Sequence, residues 1–382
     1  MRPSPAPVAF ASLALAALFL PSLASQSQAL TFTNGNVDDH VDVAYAPGLL
    51  PRRGITVEAW ITYDDSTLPP TGNRWPTVAR QDVAPGGESW FLRVGAGSSS
   101  NRNLEWACHN GTNLQFTVYS FAPGEFLNWT HVAGTYDGVQ ATLYVNGQVA
   151  AQTNVSGALR DNQGVLRIGN GDVSAPGHEV WNGEIDEFRI WPFARTQAEI
   201  MATMGDTLFQ APGAITFNFD GNLTDSSSGF AGTPTTNVTF VPGEPNLAPA
   251  PLGGFANGSA STNCNQTVGS TLGARAVRGS AGFSYVLYDA SANASGALFL
   301  ATGLLTSPIT VAGVSLYLDP NTLLPFGIGR TTDASGTARV ALPLPQDPAL
   351  AGFGLAGQWV LLDASCGSQG VVASDAVVAG FQ

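Results

Sequence analysis

Acidic side chains alternate along the stretch GEIDEFRIW, residues 183–191. Residues i, i+2 and i+4 of a β-strand project from one face, so Glu184 and Asp186 are expected side by side. Two carboxyl groups about 5–5.5 Å apart, or about 6.5–9.5 Å apart with a water between them, can hydrolyse a glycosidic bond. The third position on this face is Phe188, and Glu187 is expected on the opposite face. Phe188 stands where a second catalytic carboxylate is needed in addition to Glu184 and Asp186, so we expect no catalysis at this strand.

Other patterns typical of nucleophilic or metal-assisted catalysis are weak. The sequence contains no G-x-S-x-G turn of the kind that presents a nucleophilic serine. Of the four His, His131 falls in an alternating run and is expected in the core. His40, His109 and His178 are scattered and lack the spacing of metal ligands. We therefore predict that the protein is not an enzyme.

Tryptophan side chains offer flat faces that can stack on sugar rings. Trp75, in TGNRWPT, and Trp181, in GHEVWNG, stand at loop-like positions. We predict that these two residues bind ligand. Three other Trp fall in alternating runs and are expected in the core: Trp60, Trp129 and Trp191.

One carboxylate is expected to be buried. Glu58 lies in ITVEAW, residues 55–60, which reads as a strand. A buried carboxylate needs a partner, because an unpaired charge is costly away from water. Arg189 is the candidate that we name for this role.

Composition excludes one class of partner. The formal net charge is −13, and only 11% of the residues are charged. A nucleic-acid-binding surface needs clustered positive charge, so we expect no nucleic-acid partner. All 15 positive charges are Arg, which we associate with a GC-rich, bacterial genome.

The first 29 residues read as a secretory signal peptide. Arg2 precedes an apolar run over residues 8–20, and Ser27, Gln28 and Ala29 end the segment. The run is too short to span a bilayer. We expect no membrane span and a mature chain that is secreted, extracellular or at the cell surface.

Three cysteines are an odd number for an oxidising compartment. Cys264 and Cys366 fall in one proposed domain, and we predict a disulfide between them. Cys108 is then left as a free, buried thiol. None of the spacings is that of a zinc site.

Short alternating runs bounded by Gly, Asn, Asp and Pro predict an all-β fold over residues 30–240. Asn146-Gly147 fits a type I′ turn, in which both residues need a positive φ, and Asp137-Gly138 reads as a further turn. Thr196 and Glu199 form a capping box before a short helix from Gln197. We predict antiparallel strands near residues 57–61, 130–134, 142–145 and 185–190.

The chain divides at a proline-rich segment. Four prolines in residues 241–251 predict a stiff linker. Strand patterns resume beyond it, so we predict a second, smaller β-sandwich-like domain over residues 252–382.

Five stretches in order carry a family resemblance. They are LTFTNGNVDDHVDV (30–43), ITVEAWI (55–61), NWTHVAGTYDGVQATLYVNGQ (128–148), WNGEIDEFRIWPFARTQAEI (181–200) and GAITFNFDGNLTDSSSGFAGT (213–233). Residues 30–240 thereby resemble the laminin-G-like, concanavalin A-like jelly-roll domains of secreted proteins. The resemblance implies a two-sheet antiparallel jelly-roll sandwich. The second domain resembles unnamed C-terminal modules of secreted bacterial proteins.

The resemblance also implies a calcium site between the opening loop and the strand at 183–191. The oxygen-bearing residues at the matching positions are Asn34, Asp38, Asp39 and Asp186. Calcium takes six to eight oxygen ligands from such groups. The alternative is that these residues form turns and solvated loops.

Three classes of function remain open from the sequence, because one architecture hosts many functions. The first is a non-catalytic binding protein for carbohydrate or an extracellular protein, including cell adhesion. The second is a structural or envelope-associated protein. The third is a polysaccharide-degrading enzyme. We favour the first.

Overall fold

The computed structural model describes residues 28–32, 39–46, 49, 53–66, 75–82, 87–95, 102–171, 179–235, 237–243, 247–252, 254–257, 268–363 and 370–382. The described chain is almost entirely β-structure, and its strands are numbered below in chain order. The predicted signal peptide, apart from Gln28 and Ala29, lies outside these residues, as do Cys264 and Cys366.

Two antiparallel sheets face each other in the first domain. In the described residues the first has the order β10 (Gln148–Asn154), β9 (Gln140–Val145), β8 (Thr130–Tyr136), β3 (Ile55–Ile61), β12 (Gly183–Trp191), β1 (Gln28–Phe32) and β16 (Thr239–Pro242), with β14 (Ile215–Phe217) also paired to β12. The second has the order β15 (Gly232–Pro234), β2 (Val41–Val43), β11 (Val165–Ile168), β4 (Thr77–Asp82), β5 (Trp90–Gly95), β6 (Asn103–His109) and β7 (Leu114–Ser120). We call these the first sheet and the second sheet. The predicted jelly-roll sandwich is confirmed.

Alternation along each strand places one set of side chains between the sheets. Val57, Ala59 and Ile61 of β3 meet Leu92 and Trp106 of the second sheet in one buried cluster. Gly134 of β8 lies directly under Trp106, since a Cβ at this glycine would stand 2.3 Å from the indole. A glycine inside this strand therefore makes room for the largest side chain of the facing sheet.

The meander β8–β9–β10 follows from its turns. Asn146 and Gly147 both have positive φ, 49° and 71°, as a type I′ turn requires. The four predicted strands lie within β3, β8, β9 and β12.

The helix is present where the capping box predicts it. It spans Gln197–Thr203 (α1), and the Thr196 side chain and the Glu199 side chain form the reciprocal cap. Ile200 packs on Ala133 and Tyr144 of the first sheet, whereas Met201 is exposed. The helix thus covers part of the outer face of that sheet.

The described chain beyond residue 252 forms further sheets. One sheet has the strand order β18 (Gly254–Asn257), β27 (Val371–Gly380), β26 (Gly354–Leu362), β21 (Ser295–Ala301) and β24 (Ile328–Thr331). Another has the order β19 (Gly269–Leu272), β20 (Ser284–Tyr288) and β25 (Ala338–Ala341). Strands β22 (Leu304–Val311) and β23 (Val314–Leu318) form a hairpin. A 3-10 turn covers Pro348–Leu350.

The segment predicted to be a linker contains strand residues. It holds β17 (Ala248–Pro251), which pairs in parallel with β13 (Asp206–Phe209), and the end of β16, which pairs with β1. A second core cluster joins Trp191, Phe193 and Leu208 from one side to Leu272 and Phe283 from the other. The chain on the two sides of the segment therefore shares a core.

Candidate functional site

The two sheets of the first domain differ in what covers their outer faces. Outside the first sheet, α1 and the second core cluster cover part of the face. Outside the second sheet, two large side chains of the edge strand β7 are exposed, Phe116 and Val118, each at 41%. These two side chains are neighbours on one face of β7, and contiguous exposed apolar patches can mark interaction sites. We therefore take the outer face of the second sheet as the candidate site.

A row of directly opposed residues crosses this face. Each of the neighbouring strands β2, β11, β4, β5, β6 and β7 contributes one residue. In that order they are Asp42, Arg167, Arg80, Phe91, Ala107 and Phe116. These positions alternate with core residues such as Leu92 and Trp106, which is why they all point outward. The row changes from charged at β2 to aromatic at β7.

The aromatic end is held together by one arginine. The guanidinium carbon of Arg93 lies 4.1 Å from the ring centroid of Phe91, 5.5 Å from that of Trp75 and 5.8 Å from that of Phe116. Glu105 on the adjacent strand accepts a 2.8 Å hydrogen bond from Arg93 Nε and fixes the guanidinium. Cations over ring faces are attracted by the ring quadrupole. We call Trp75, Phe91, Arg93 and Phe116 the aromatic platform.

The charged end begins with a bidentate pair. Arg167 donates from Nε and Nη2 to the two carboxylate oxygens of Asp42, both at 2.8 Å. Burial would raise the pKa of Asp42, but hydrogen bonds from His40 and Arg167 outweigh it and lower the pKa to about 2. Asp42 therefore stays ionised at any physiological pH.

Arg80, in the middle of the row, is surrounded by carboxylates. Its Nη1 lies 3.1 Å from Glu179, and its Nη2 contacts Asp82 and lies 3.5 Å from Glu88. The arginine is buried beneath these groups. At the aromatic end Phe116 and part of Trp75 are open to solvent, whereas Phe91 is only 3% exposed, and the paired charges lie beside them on the same face.

The two predicted ligand-binding tryptophans have different environments. Trp75 is partly buried and belongs to the aromatic platform. Trp181 is fully buried, its ring packs on Tyr63, and its indole N–H donates to the Thr62 carbonyl at 3.0 Å. The expectation of an exposed Trp181 is corrected, because this residue joins the core beside the first sheet.

A bulge in β12 changes the face that each acidic residue occupies. The pairing with β3 shifts register between Asp186 and Arg189, and Glu187 takes a positive φ of 51°. Ile185 and Phe188 therefore both point into the core. The expectation that Phe188 shares a face with Asp186 is wrong, because one extra residue reverses the alternation.

The acidic residues of this strand are mostly enclosed. Glu187 is buried and pairs with Arg189 at 2.8 Å. Burial, and then the neighbouring charge of Glu187, raises the pKa of Asp186 to about 9. Burial also raises the pKa of the less enclosed Glu184.

The predicted calcium ligands are only partly described. Asn34 and Asp38 lie outside the described residues. Asp39 lies just before β2 of the second sheet, whereas Asp186 lies in β12 of the first sheet. The acidic residues that raise the pKa of Asp186 are Glu187 and Asp220, and Asp39 is not among them. Asp39 and Asp186 each have a buried carboxylate oxygen without a hydrogen-bond partner. However, the described residues contain no group of three acidic, His or Cys side chains able to hold a metal. The calcium site therefore stays a prediction, and the described residues do not assemble it.

The predicted partner of Glu58 is present but is not its closest one. Arg195 Nη1 lies 2.8 Å from Glu58 Oε1, and Arg189 Nη1 lies 3.6 Å from the same atom. Trp191 donates its indole N–H at 2.9 Å. Burial would raise the pKa of Glu58, but the two arginines outweigh it and lower the pKa. Sequence reasoning missed Arg195 because it follows the strand rather than lying in it.

The outer-face row could not be found from spacing alone. Its members come from six strands, and only the pairing register brings them together. The free cysteine Cys108 points the other way, into the core, where burial raises its thiol pKa.

Comparison with known proteins identifies the fold family of the first domain. Residues 34–201 match the family model of the concanavalin A-like lectin/glucanases superfamily. Residues 34–201 are therefore similar to that superfamily, and we refer to this part of the chain as the concanavalin A-like domain. A segment of 90 residues is 40% identical to pappalysin-1 of Mus musculus and of Homo sapiens, and covers 22% of this chain. The match spans only 5% of the length of pappalysin-1.

Solved structures similar to this chain include three from different organisms. A Bacteroides ovatus protein proposed to bind carbohydrate is 21% identical, with a TM-score of 0.43, and the match covers 57% of this chain and 60% of that one. A pentraxin from Limulus polyphemus is 14% identical, with a TM-score of 0.40 over 59% and 98%. A sialidase carbohydrate-binding module from Ruminococcus gnavus is 13% identical, with a TM-score of 0.31 over 44% and 98%.

No helix among the described residues is both long enough and apolar enough to cross a membrane.

Proposed function

We propose that the concanavalin A-like domain is a non-catalytic carbohydrate-binding domain whose site is the outer face of the second sheet. The observation that carries the proposal is the aromatic platform, with Phe116 41% exposed beside a row of paired charges. An exposed ring can stack on the apolar face of a sugar. The neighbouring carboxylates can accept hydrogen bonds from its hydroxyl groups.

The charged part of the face would supply specificity. Asp42, Arg167 and Arg80 are held by ion pairs, so their polar atoms are fixed before a ligand arrives. Preorganised groups lose less entropy on binding. The ligand would span from the platform toward β4, across strands that are directly paired.

We also propose that the protein acts outside the cytoplasm. The support is the signal-peptide pattern of residues 1–29. N-terminal sequencing of the exported protein would show a start after the apolar run, and a retained Met1 on exported protein would contradict it.

A glycan array tests the binding proposal. Wild-type protein is expected to bind at least one glycan, and Trp75→Ala with Phe116→Ala is expected to weaken that binding at least tenfold, about 1.4 kcal/mol. Phe326→Ala is the matched control, because Phe326 is 67% exposed in the second domain. Equal binding by the double variant would refute the site.

The same glycan decides between binding and cutting. We expect no release of reducing sugar on prolonged incubation. Release that disappears in Glu184→Gln would show that the enzymatic alternative is correct.

A further inference from the structure

A second concave site lies on the other side of the molecule, where the two domains meet. The outer face of β8–β10 forms its floor, residues 194–196 form one wall, and the turn at 333–337 of the second domain forms the other. The cleft has a volume of about 220 Å³. We call it the junction cleft.

The floor is a cross-strand row of hydroxyl and amide groups. Thr135 is directly opposite Thr142, and Thr142 is opposite Gln152. The Gln152 amide donates to the Thr142 hydroxyl at 3.3 Å. The only purely apolar side chain among the lining residues of this cleft is that of Ala194.

Each domain contributes one carboxylate to the lining. Asp137 Oδ1 accepts from the backbone N–H groups of Val139 and Gln140, at 2.9 and 2.6 Å. Asp333 Oδ1 likewise accepts from Ser335 and Thr337. Both turns use one oxygen of the carboxylate in these bonds, so the other oxygen, Oδ2, can accept from a ligand.

The positive charges of the lining are already paired. Arg195 is buried and bonded to Glu58 at 2.8 Å, and Arg339 is bonded to Glu199 at 2.7 Å. The carboxylates of Asp137 and Asp333 have no such arginine partner in the hydrogen bonds described above. An acidic ligand would therefore be repelled from the cleft, whereas hydroxyl donors would find two acceptors.

The turns that carry the two carboxylates approach each other closely along their backbones. A Cβ placed on Gly138 would lie 3.4 Å from the Arg53 carbonyl and 3.6 Å from the Ser335 backbone nitrogen. The 137–138 turn and the 333–337 turn therefore meet at one end of the cleft. A ligand between them would touch both domains at once.

We propose that the junction cleft binds a single uncharged sugar residue through its hydroxyl groups. The cleft is small for a drug-sized ligand, which usually takes about 300–1,000 Å³. Its floor lacks an open aromatic face, since Tyr144 is nearly buried. The site selects by hydrogen bonds, and it is independent of the aromatic platform.

Saturation-transfer NMR with the methyl glycosides of glucose, galactose and mannose tests the proposal on the full chain. At least one is expected to bind, and glucuronic acid is not. Asp137→Asn with Asp333→Asn is expected to weaken binding at least tenfold, because Asn keeps the Oδ1 acceptor of each turn but loses the second acceptor. Asp347→Asn is the control, since Asp347 Oδ1 caps an exposed turn elsewhere.

Gln152→Ala gives a second test if the double variant does not fold. Gln152 is exposed on the edge strand β10, so its truncation leaves the core intact, and weaker binding is again expected. The proposal is overturned if none of the three neutral glycosides binds, if glucuronic acid binds more tightly than they do, or if the variants bind as well as the wild type.

Discussion

His131 shows how a single buried residue depends on the charges around it. The side chain is 1% exposed, its Nε2 lies 3.8 Å from Glu58, and Arg189 and Arg195 also face it. Burial, helped by the two arginines and opposed by Glu58, lowers its pKa to about 4. The imidazole is therefore neutral in the folded protein at pH 7.

A pH dependence of stability follows from this shift. The pKa of His131 is about 6.5 in the unfolded chain and about 4 in the folded protein. The folded state is therefore fully stable above about pH 6.5, and it loses stability as the pH falls toward 4 because the unfolded chain binds the proton first. The loss is on the order of 3 kcal/mol. Denaturant melts of wild type and His131→Gln at pH 7 and pH 4.5 should show a smaller fall for the variant. Parallel pH profiles would contradict the assignment.

The two candidate tryptophans should respond differently to truncation. Trp181→Ala removes a fully buried ring and should cost about 3–5 kcal/mol of stability. Trp75→Ala removes a partly exposed ring and should cost much less. Urea unfolding of both variants measures this, and a similar loss in each would mean that Trp181 is not a core residue.

At the scale of elements, the first domain depends on the match between strand β8 and the sheet that faces it. Gly134 and Trp106 occupy facing positions, and a Cβ on the glycine would enter the indole ring. Protein cores accept added volume only by shifting side chains or backbone.

Gly134→Ala is therefore expected to destabilise the protein by about 1–3 kcal/mol. Gly205→Ala is the matched control, because a Cβ at Gly205 meets nothing within 4 Å. Thermal melts of the two variants should separate clearly. A Gly134→Ala midpoint equal to that of the control would show that the sheets do not pack this closely.

Local sequence patterns predicted the strands, the turn and the helix correctly, but they did not predict the bulge in β12 or the burial of Trp181. The turn at Asn146-Gly147 and the capping box at Thr196 act within a few residues, so the sequence alone is enough to locate them. The bulge at Glu187 depends on pairing with β3, and the burial of Trp181 depends on a loop packing against Tyr63. Both are tertiary effects that alternation along one strand cannot report.

The same distinction applies to the candidate site. Trp75 was accessible to sequence reasoning because of its residue type. Phe116 and Arg93 were not, since their role comes from the register that places them on one face.

At the scale of the whole molecule, the two domains are joined by buried polar contacts as well as by a shared core. Glu199 of α1 accepts from Ser284 at 2.6 Å and from Arg339 at 2.7 Å. Arg195 donates to the Gly273 carbonyl at 2.9 Å. Arg195 and Arg339 also line the junction cleft, so these contacts hold two of its side chains in place.

We therefore expect the two domains to unfold together. Calorimetry should give one transition, and Glu199→Gln should lower its midpoint without splitting it, with a cost of about 1–3 kcal/mol from the unpaired arginine. Glu125→Gln is the control, since Glu125 bonds only to Tyr119 and Ala122 of the first domain in the hydrogen bonds described. Two separate transitions in the wild type would contradict a shared core.

The most direct test of the carbohydrate site is hydroxyl-radical footprinting of the full chain with and without the glycan that the array identifies. Side-chain oxidation reports solvent access at single residues. We predict that the glycan protects Trp75 and Phe116, while oxidation of the exposed Phe326 in the second domain stays the same. Unchanged oxidation of Trp75 and Phe116 at saturating glycan would contradict binding on the outer face of the second sheet.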